Sequence, residues 1–160
     1  MTIKVGDRVP DVTFLVMKAG EITPVTSADL FGGKKVALFG VPGAFTPTCS
    51  ASHLPGYMKN SGALKAKGVD AIACVSVNDV FVMNAWGNDQ GVGDDVVMLA
   101  DGSGDFAKAT GLVFDLSEKG LGVRNQRYSA VIDDGVVSEF NLDEPGAFEV
   151  SSAEKMLEQL

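Results

Sequence analysis

Cysteine, histidine and basic residues are scarce in this chain. Two cysteines in 160 residues cannot build the disulfide framework of a small secreted scaffold. The single histidine, His53, lies four residues after Cys49. That pair falls short of a tetrahedral metal set, and no further Cys or His completes one. Lys and Arg number 13 against 21 Asp and Glu, a net charge of −8, which argues against nucleic acid or an anionic membrane as a partner, because both need a basic face. A small anionic substrate would need a local cluster of Arg or Lys. No stretch approaches the run of about 20 apolar residues that spans a bilayer. Residues 1–9 mix Lys4, Asp7 and Arg8 with isolated apolar positions, so they lack the apolar core of a signal peptide. There is no Asn-x-Ser/Thr acceptor site. Gly91-Val92-Gly93 and Gly102-Ser103-Gly104 fit neither a dinucleotide fingerprint nor a phosphate loop. These absences lead to the expectation of a cytoplasmic protein.

A hydrophobic content of 46% and a charged content of 21% are those of an ordinary globular protein. The length suits one domain over 1–160 with a real core, and there is no repeat, low-complexity segment or linker. Val12 to Met17 reads as a strand, Ala19-Gly20 as a turn, and Glu21 to Thr26 as the returning strand. Ser27 to Leu30 reads as a short capped turn. Lys35 to Val41 is apolar enough for the middle of a sheet. A helix is expected over 48–67, kinked near 51–55 by Pro55 and ended by Gly68. Val69 to Val77 is a second central strand. Asn78 is expected to cap a helix over 79–88, and Val96 to Ala100 is a third core strand. A short helix over 104–110 and an irregular stretch over 116–125 follow. Arg127 to Ile132 and Val136 to Leu142 form a hairpin around Asp133-Asp134-Gly135. Ser151 and Glu154 fit a capping box for a last helix bearing Met156, Leu157 and Leu160. The alternation gives an α/β fold, a mixed sheet covered on both faces.

The chemistry concentrates in Val41-Pro42-Gly43-Ala44-Phe45-Thr46-Pro47-Thr48-Cys49-Ser50, where a central strand hands over to a helix. The start of a helix carries free N–H groups and the positive end of the macrodipole. A thiol held there is favoured as thiolate. Pro42 and Pro47 stiffen the turn, and Pro47 suits the first helical turn. Cys74, inside Ala71-Ile72-Ala73-Cys74-Val75, reads instead as a small buried hydrophobe.

Pro42, Thr46 and Cys49 match in spacing the active-site pattern of the peroxiredoxins, and the run from Pro42 to Ser50 resembles the Prx5 (type II) subfamily. Ser76 to Val82 with Trp86 behind it, and Arg127-Tyr128-Ser129, extend the resemblance over nearly the whole chain. It implies a thioredoxin-like fold as peroxiredoxins elaborate it, a central mixed sheet flanked by helices. It also implies reduction of hydrogen peroxide and small organic hydroperoxides with no metal or organic cofactor. Cys49 would be the nucleophile, Thr46 would activate the peroxide, and Pro42 would shield the thiol from bulk water. The N–H groups of Thr48 and Cys49 would point into the site, and Thr48, Gly43, Phe45 and Arg124 would hold the substrate. A guanidinium is also needed; residue types alone leave Arg124 and Arg127 open, and the resemblance selects Arg127. Some relatives carry a resolving cysteine before the last helix, whereas residues 148–152 here contain none. This implies a one-Cys mechanism completed by an external thiol, glutathione with glutaredoxin or thioredoxin. Arg124 and Lys119 would supply the positive charge for anionic glutathione. A homodimer would use the Phe45 and Phe81 regions. Two rivals remain: a non-catalytic thiol redox sensor, and a Cys–His hydrolase using Cys49 and His53, which share a face if the helix is regular. The spacing of Pro42, Thr46 and Cys49 favours the peroxidase over both.

Overall fold

A turn at Ala19-Gly20, both at positive φ, folds Thr13–Lys18 (β1) onto Glu21–Thr26 (β2) in the computed structural model, which describes residues 2–160. Ser27–Phe31 (α1) follows, with Thr26 as its cap and Asp29 returning the bond. Lys35–Gly40 (β3) leads into the active stretch. One wide π-helical turn, Cys49–His53, then precedes Leu54–Lys59 (α2) and Ser61–Ala66 (α3). The remaining elements are Ala71–Ser76 (β4), Val80–Gln90 (α4), Val97–Ala100 (β5), Asp105–Thr110 (α5), Val113–Leu116 (β6), Gly122–Asn125 (β7), Tyr128–Asp133 (β8), Val136–Leu142 (β9) and Ala153–Gln159 (α6).

Seven strands form one sheet in the order β2-β1-β5-β4-β3-β8-β9, and β6 pairs with β7 separately. The central β3, β4 and β5 run parallel, while β1, β8 and their outer neighbours run antiparallel. Alternate residues of the central strands enter two cores. Ala37, Phe39 and Cys74 face Leu54, Tyr57, Trp86 and Met156. Val36, Leu38 and Val75 face Phe14, Phe31, Leu99 and Phe106. Apolar runs buried on both faces are what a central parallel strand needs. Among the described residues no helix is long and apolar enough to cross a membrane.

Four local expectations are corrected. The helix over 48–67 is not one kinked rod. Leu54 N–H bonds to the Cys49 carbonyl, five residues back; the wide turn ends at His53, and Pro55, which has no N–H to donate, falls in the first turn of α2. A second break falls at Asn60, whose side chain bonds the Gly56 carbonyl at 2.8 Å. The cap of α4 is Asp79, whose carboxylate accepts from Val82 N–H at 2.8 Å, and not Asn78. Residues 116–125 are not irregular throughout. After a single 3-10 turn at Ser117–Lys119 the chain pairs β7 back onto β6. Gly120 and Gly122, at φ 74 and 68, interrupt the alternation by which a strand is recognised. Finally, Ser152 caps α6 by accepting from Lys155 N–H at 3.1 Å, so the box from Ser151 to Glu154 does not form.

Candidate active site

The end of β3 is held between two strands. Gly40 pairs with Tyr128, and a Cβ there would sit 2.3 Å from the Tyr128 ring. Only glycine lets β3 and β8 approach this closely. Val41 N–H then bonds the Val75 carbonyl at 3.1 Å, continuing the pairing with β4. The loop beyond is pinned by Asn78, whose Oδ1 accepts from Ala44 N–H at 3.0 Å and from the Ser76 hydroxyl at 2.6 Å. Phe45 has φ 63, a left-handed backbone that an aromatic residue adopts only where surrounding structure imposes it. Thr46 closes the turn, its hydroxyl donating to the Gly43 carbonyl at 2.6 Å. Its oxygen lone pairs stay available as acceptors.

The first helical bond runs from Ser50 N–H to the Thr46 carbonyl at 3.0 Å. The N–H groups of Thr48 and Cys49 therefore precede the first intrahelical donor. Trp86 reaches across from α4, donating its indole N–H to the Ser50 hydroxyl at 2.9 Å. Cys49 itself is fully buried.

Of the two arginines, Arg127 reaches the sulfur. Its Nη2 donates to Cys49 Sγ at 3.1 Å, and its Nη1 lies 2.8 Å from His53 Nδ1. The other ring nitrogen, Nε2, lies 3.0 Å from the Ser151 carbonyl. A guanidinium only donates and a carbonyl only accepts, so Nδ1 is the acceptor and Nε2 carries the proton. Burial, then the neighbouring Arg127 charge, pushes the imidazole pKa down to about 3. His53 is thus neutral with both nitrogens engaged. It has no lone pair to offer the thiol, which removes the Cys–His hydrolase. The Phe148 ring lies under Arg127, 5.7 Å from the guanidinium carbon to the ring centroid.

Arg124 has a different post. Its Nε donates to the Leu121 carbonyl at 2.8 Å, and Nη1 donates to the Pro42 carbonyl at 3.4 Å. A Cβ on Gly43 would sit 3.1 Å from that nitrogen, so glycine gives the guanidinium room over the loop. A cleft of about 130 Å³ opens beside the thiol, lined by Pro42, Thr48, Phe114, Arg127, Asp143 and Glu144 among others. Phe45 is not in that lining and is 51% exposed. Lys119 is exposed on the 3-10 turn. A larger depression of about 300 Å³, between β1, α4 and β5, shares no lining residue with that cleft. Cys74 is fully buried, and burial, then the nearby Cys49, pushes its thiol well up.

The Redoxin family model matches residues 4–157. Peroxiredoxin-2E-2, chloroplastic, of Oryza sativa subsp. japonica is 56% identical over 99% of this chain and 73% of its own length. Peroxiredoxin-2B of Arabidopsis thaliana is 48% identical over 99% of this chain and 98% of its own. The chain belongs to the Redoxin family, as a peroxiredoxin. The crystal structure of reduced Prx3 in complex with H2O2 from Vibrio vulnificus superposes with a TM-score of 0.95 at 49% identity, covering 99% of both chains. This peroxiredoxin has the thioredoxin-like fold and the type II pattern that its sequence resembles, and it is a thiol peroxidase. Several groups around its thiol were not singled out as site residues from sequence. Asn78, Asp143, Ser151 and Phe148 are among them.

Proposed function

We propose that Cys49 is the peroxidatic thiolate, that Arg127 and Thr46 activate the peroxide, and that Pro42 shields the reaction from water. The observation carrying this reading is the 3.1 Å bond from Arg127 Nη2 to the sulfur of a fully buried cysteine at a helix start. The thiolate attacks the terminal oxygen of ROOH. The S–O bond forms as the O–O bond breaks, and the electron pair leaves on RO⁻, which takes a proton and departs as alcohol or water. Charge grows on the leaving oxygen, where the guanidinium can meet it. The N–H groups of Thr48 and Cys49 face the same charge. Thr46 accepts a hydrogen bond from the peroxide O–H on its free lone pairs; that proton stays on the oxygen transferred to sulfur, and RO⁻ takes its proton from solvent in the cleft. Cys49 ends as a sulfenic acid, two electrons more oxidised. An external thiol condenses with it to a mixed disulfide and water, and a second thiol exchanges to free Cys49.

Residues 148–152 hold no cysteine and Cys74 is buried, which supports a one-Cys cycle. Glutathione with glutaredoxin, or thioredoxin, is the proposed reductant, and Arg124 is a cation beside the cleft that an anionic thiol would meet. Phe45 and Phe81, 51% and 64% exposed, are the proposed contact of a homodimer; Phe81→Asp is expected to shift the species in sedimentation from two chains to one. We place the whole as one domain in the cytoplasm, where the two free thiols suit a reducing compartment.

The test is steady-state peroxide consumption with each reductant supplied in turn. Cys49→Ser is expected to lose all turnover, and Arg127→Ala about 100-fold or more in peroxide rate constant. Turnover that persists in Cys49→Ser would overturn the reading. One oxidation per chain with no turnover would favour the redox sensor instead.

A further inference from the structure

Behind the thiol lies a hydrogen-bonded chain that runs from Asp143, at the edge of the cleft, through Ser151 and His53 to Arg127. Asp143 follows β9, and its N–H bonds the Arg127 carbonyl at 3.0 Å. Its carboxylate gathers the returning loop. Oδ1 accepts from Glu149 N–H and Val150 N–H, both at 2.9 Å. Oδ2 accepts from Ser151 N–H at 3.3 Å and from the Ser151 hydroxyl. These bonds set the direction of the Ser151 carbonyl, which receives the Tyr57 hydroxyl at 2.9 Å and His53 Nε2 at 3.0 Å. The imidazole, buried and packed 4.8 Å from Phe39 and 4.9 Å from Phe148, then presents Nδ1 to Arg127.

We infer that Asp143 and His53 are positioning residues for the peroxidase reaction: Asp143 orients the Ser151 carbonyl, the carbonyl fixes the His53 ring, and the ring aims the Arg127 guanidinium at Cys49. The inference rests on the roles proposed for Cys49 and Arg127. An arginine has freely rotating side-chain bonds, and one bond to sulfur does not define where its plane lies. A second, uncharged acceptor on Nη1 defines it without competing with the thiolate for positive charge. A carboxylate in place of His53 would hold the arginine equally well but would neutralise it. The ring can serve as a neutral acceptor only while its other nitrogen is occupied as donor, and the Ser151 carbonyl occupies it. Indirect partners of this kind, when removed, typically cost about 10- to 100-fold in function.

The test is a double-mutant cycle on the second-order rate constant for Cys49 oxidation by hydrogen peroxide, followed by Trp86 fluorescence. His53→Gln keeps a group at the Nε2 position and loses the one facing Arg127; His53→Asn does the reverse. The expected result is a loss of about 10- to 100-fold in His53→Gln and substantial recovery in His53→Asn. Asp143→Asn is expected to behave as His53→Gln does, with near-ultraviolet circular dichroism unchanged. In an Arg127→Ala background His53→Gln is expected to cost nothing further. Equal losses from His53→Gln with and without Arg127, or equal rates in the Gln and Asn variants, would overturn the relay. A variant that does not fold leaves the decision to the other two. An Arg127→Ala protein as fast as wild type would instead overturn the role proposed for Arg127, and so separates the two failures.

Discussion

Burial beside a guanidinium keeps the His53 imidazole from taking up a proton at any physiological pH, and the stability of the fold depends on this. In the unfolded chain the ring titrates near 6.5; in the folded protein it titrates near 3. Between those values the unfolded state binds one more proton than the folded state. Stability is therefore fully present above pH 6.5 and falls as pH drops toward 3, by up to about 1.4 kcal/mol per pH unit. Asp143 adds to the loss at the acid end. Burial alone would raise its carboxyl, but the hydrogen bonds from Ser151, Val150 and Glu149 hold it below the usual range. Asp101 acts in the opposite sense, raised chiefly by burial. Urea unfolding at pH 7 and pH 5 measures this: wild type is expected to lose stability over that interval, and His53→Asn to lose much less. Cys74 makes a second residue-scale prediction. Its thiol is buried and raised, so Cys74→Ser is expected to retain turnover with an external thiol, which peroxide consumption checks directly. That His53 sits one turn beyond Cys49 was readable from spacing. What it does there was not, because Arg127 and Ser151 are 74 and 98 residues away.

Two contacts between elements decide whether the site assembles. The first is the approach of β3 to β8 at Gly40. Gly40→Ala forces the Tyr128 ring to move, and overpacking of this kind costs about 1–3 kcal/mol. Because Arg127 adjoins Tyr128, the same variant is expected to slow peroxide reduction, which chemical denaturation and stopped-flow kinetics would report separately. The second is the bond from Trp86 on α4 to Ser50 in the π-helical turn. Ser50→Ala leaves a buried indole N–H without its partner, a loss of about 1–3 kcal/mol in thermal or urea unfolding. The elements that make these contacts were legible. β3, β4 and β8 are apolar over most of their length, and a long run buried on both faces has few alternative readings. β6 and β7 were not legible as a pair, since four residues punctuated by glycine carry almost no period. The shifts of cap from Asn78 to Asp79 and from Ser151 to Ser152 have a common cause. Each displaced residue is held by tertiary hydrogen bonds, Asn78 to the active loop and Ser151 to Asp143, which local patterns do not contain.

For the molecule as a whole, the resemblance from Pro42 to Cys49 carried the family and that of Arg127-Tyr128-Ser129 the choice of arginine, while composition only argued against nucleic acid and anionic membranes as partners. The sheet order explains why. The strand that Arg127 immediately precedes, β8, is inserted next to the strand leading to Cys49, although 78 residues separate the pair. That separation bears on the protein's birth as well as on its finished form. A ribosome adds roughly 5–20 residues per second, so roughly 4–16 s of synthesis pass between the appearance of the thiol and that of its guanidinium. Throughout that interval, and in any refolding chain whose β8 has not docked on β3, Cys49 lacks its hydrogen bond from Arg127. If Arg127 has the role proposed for it, the onset of rapid reaction with peroxide during refolding timestamps the docking of one particular strand.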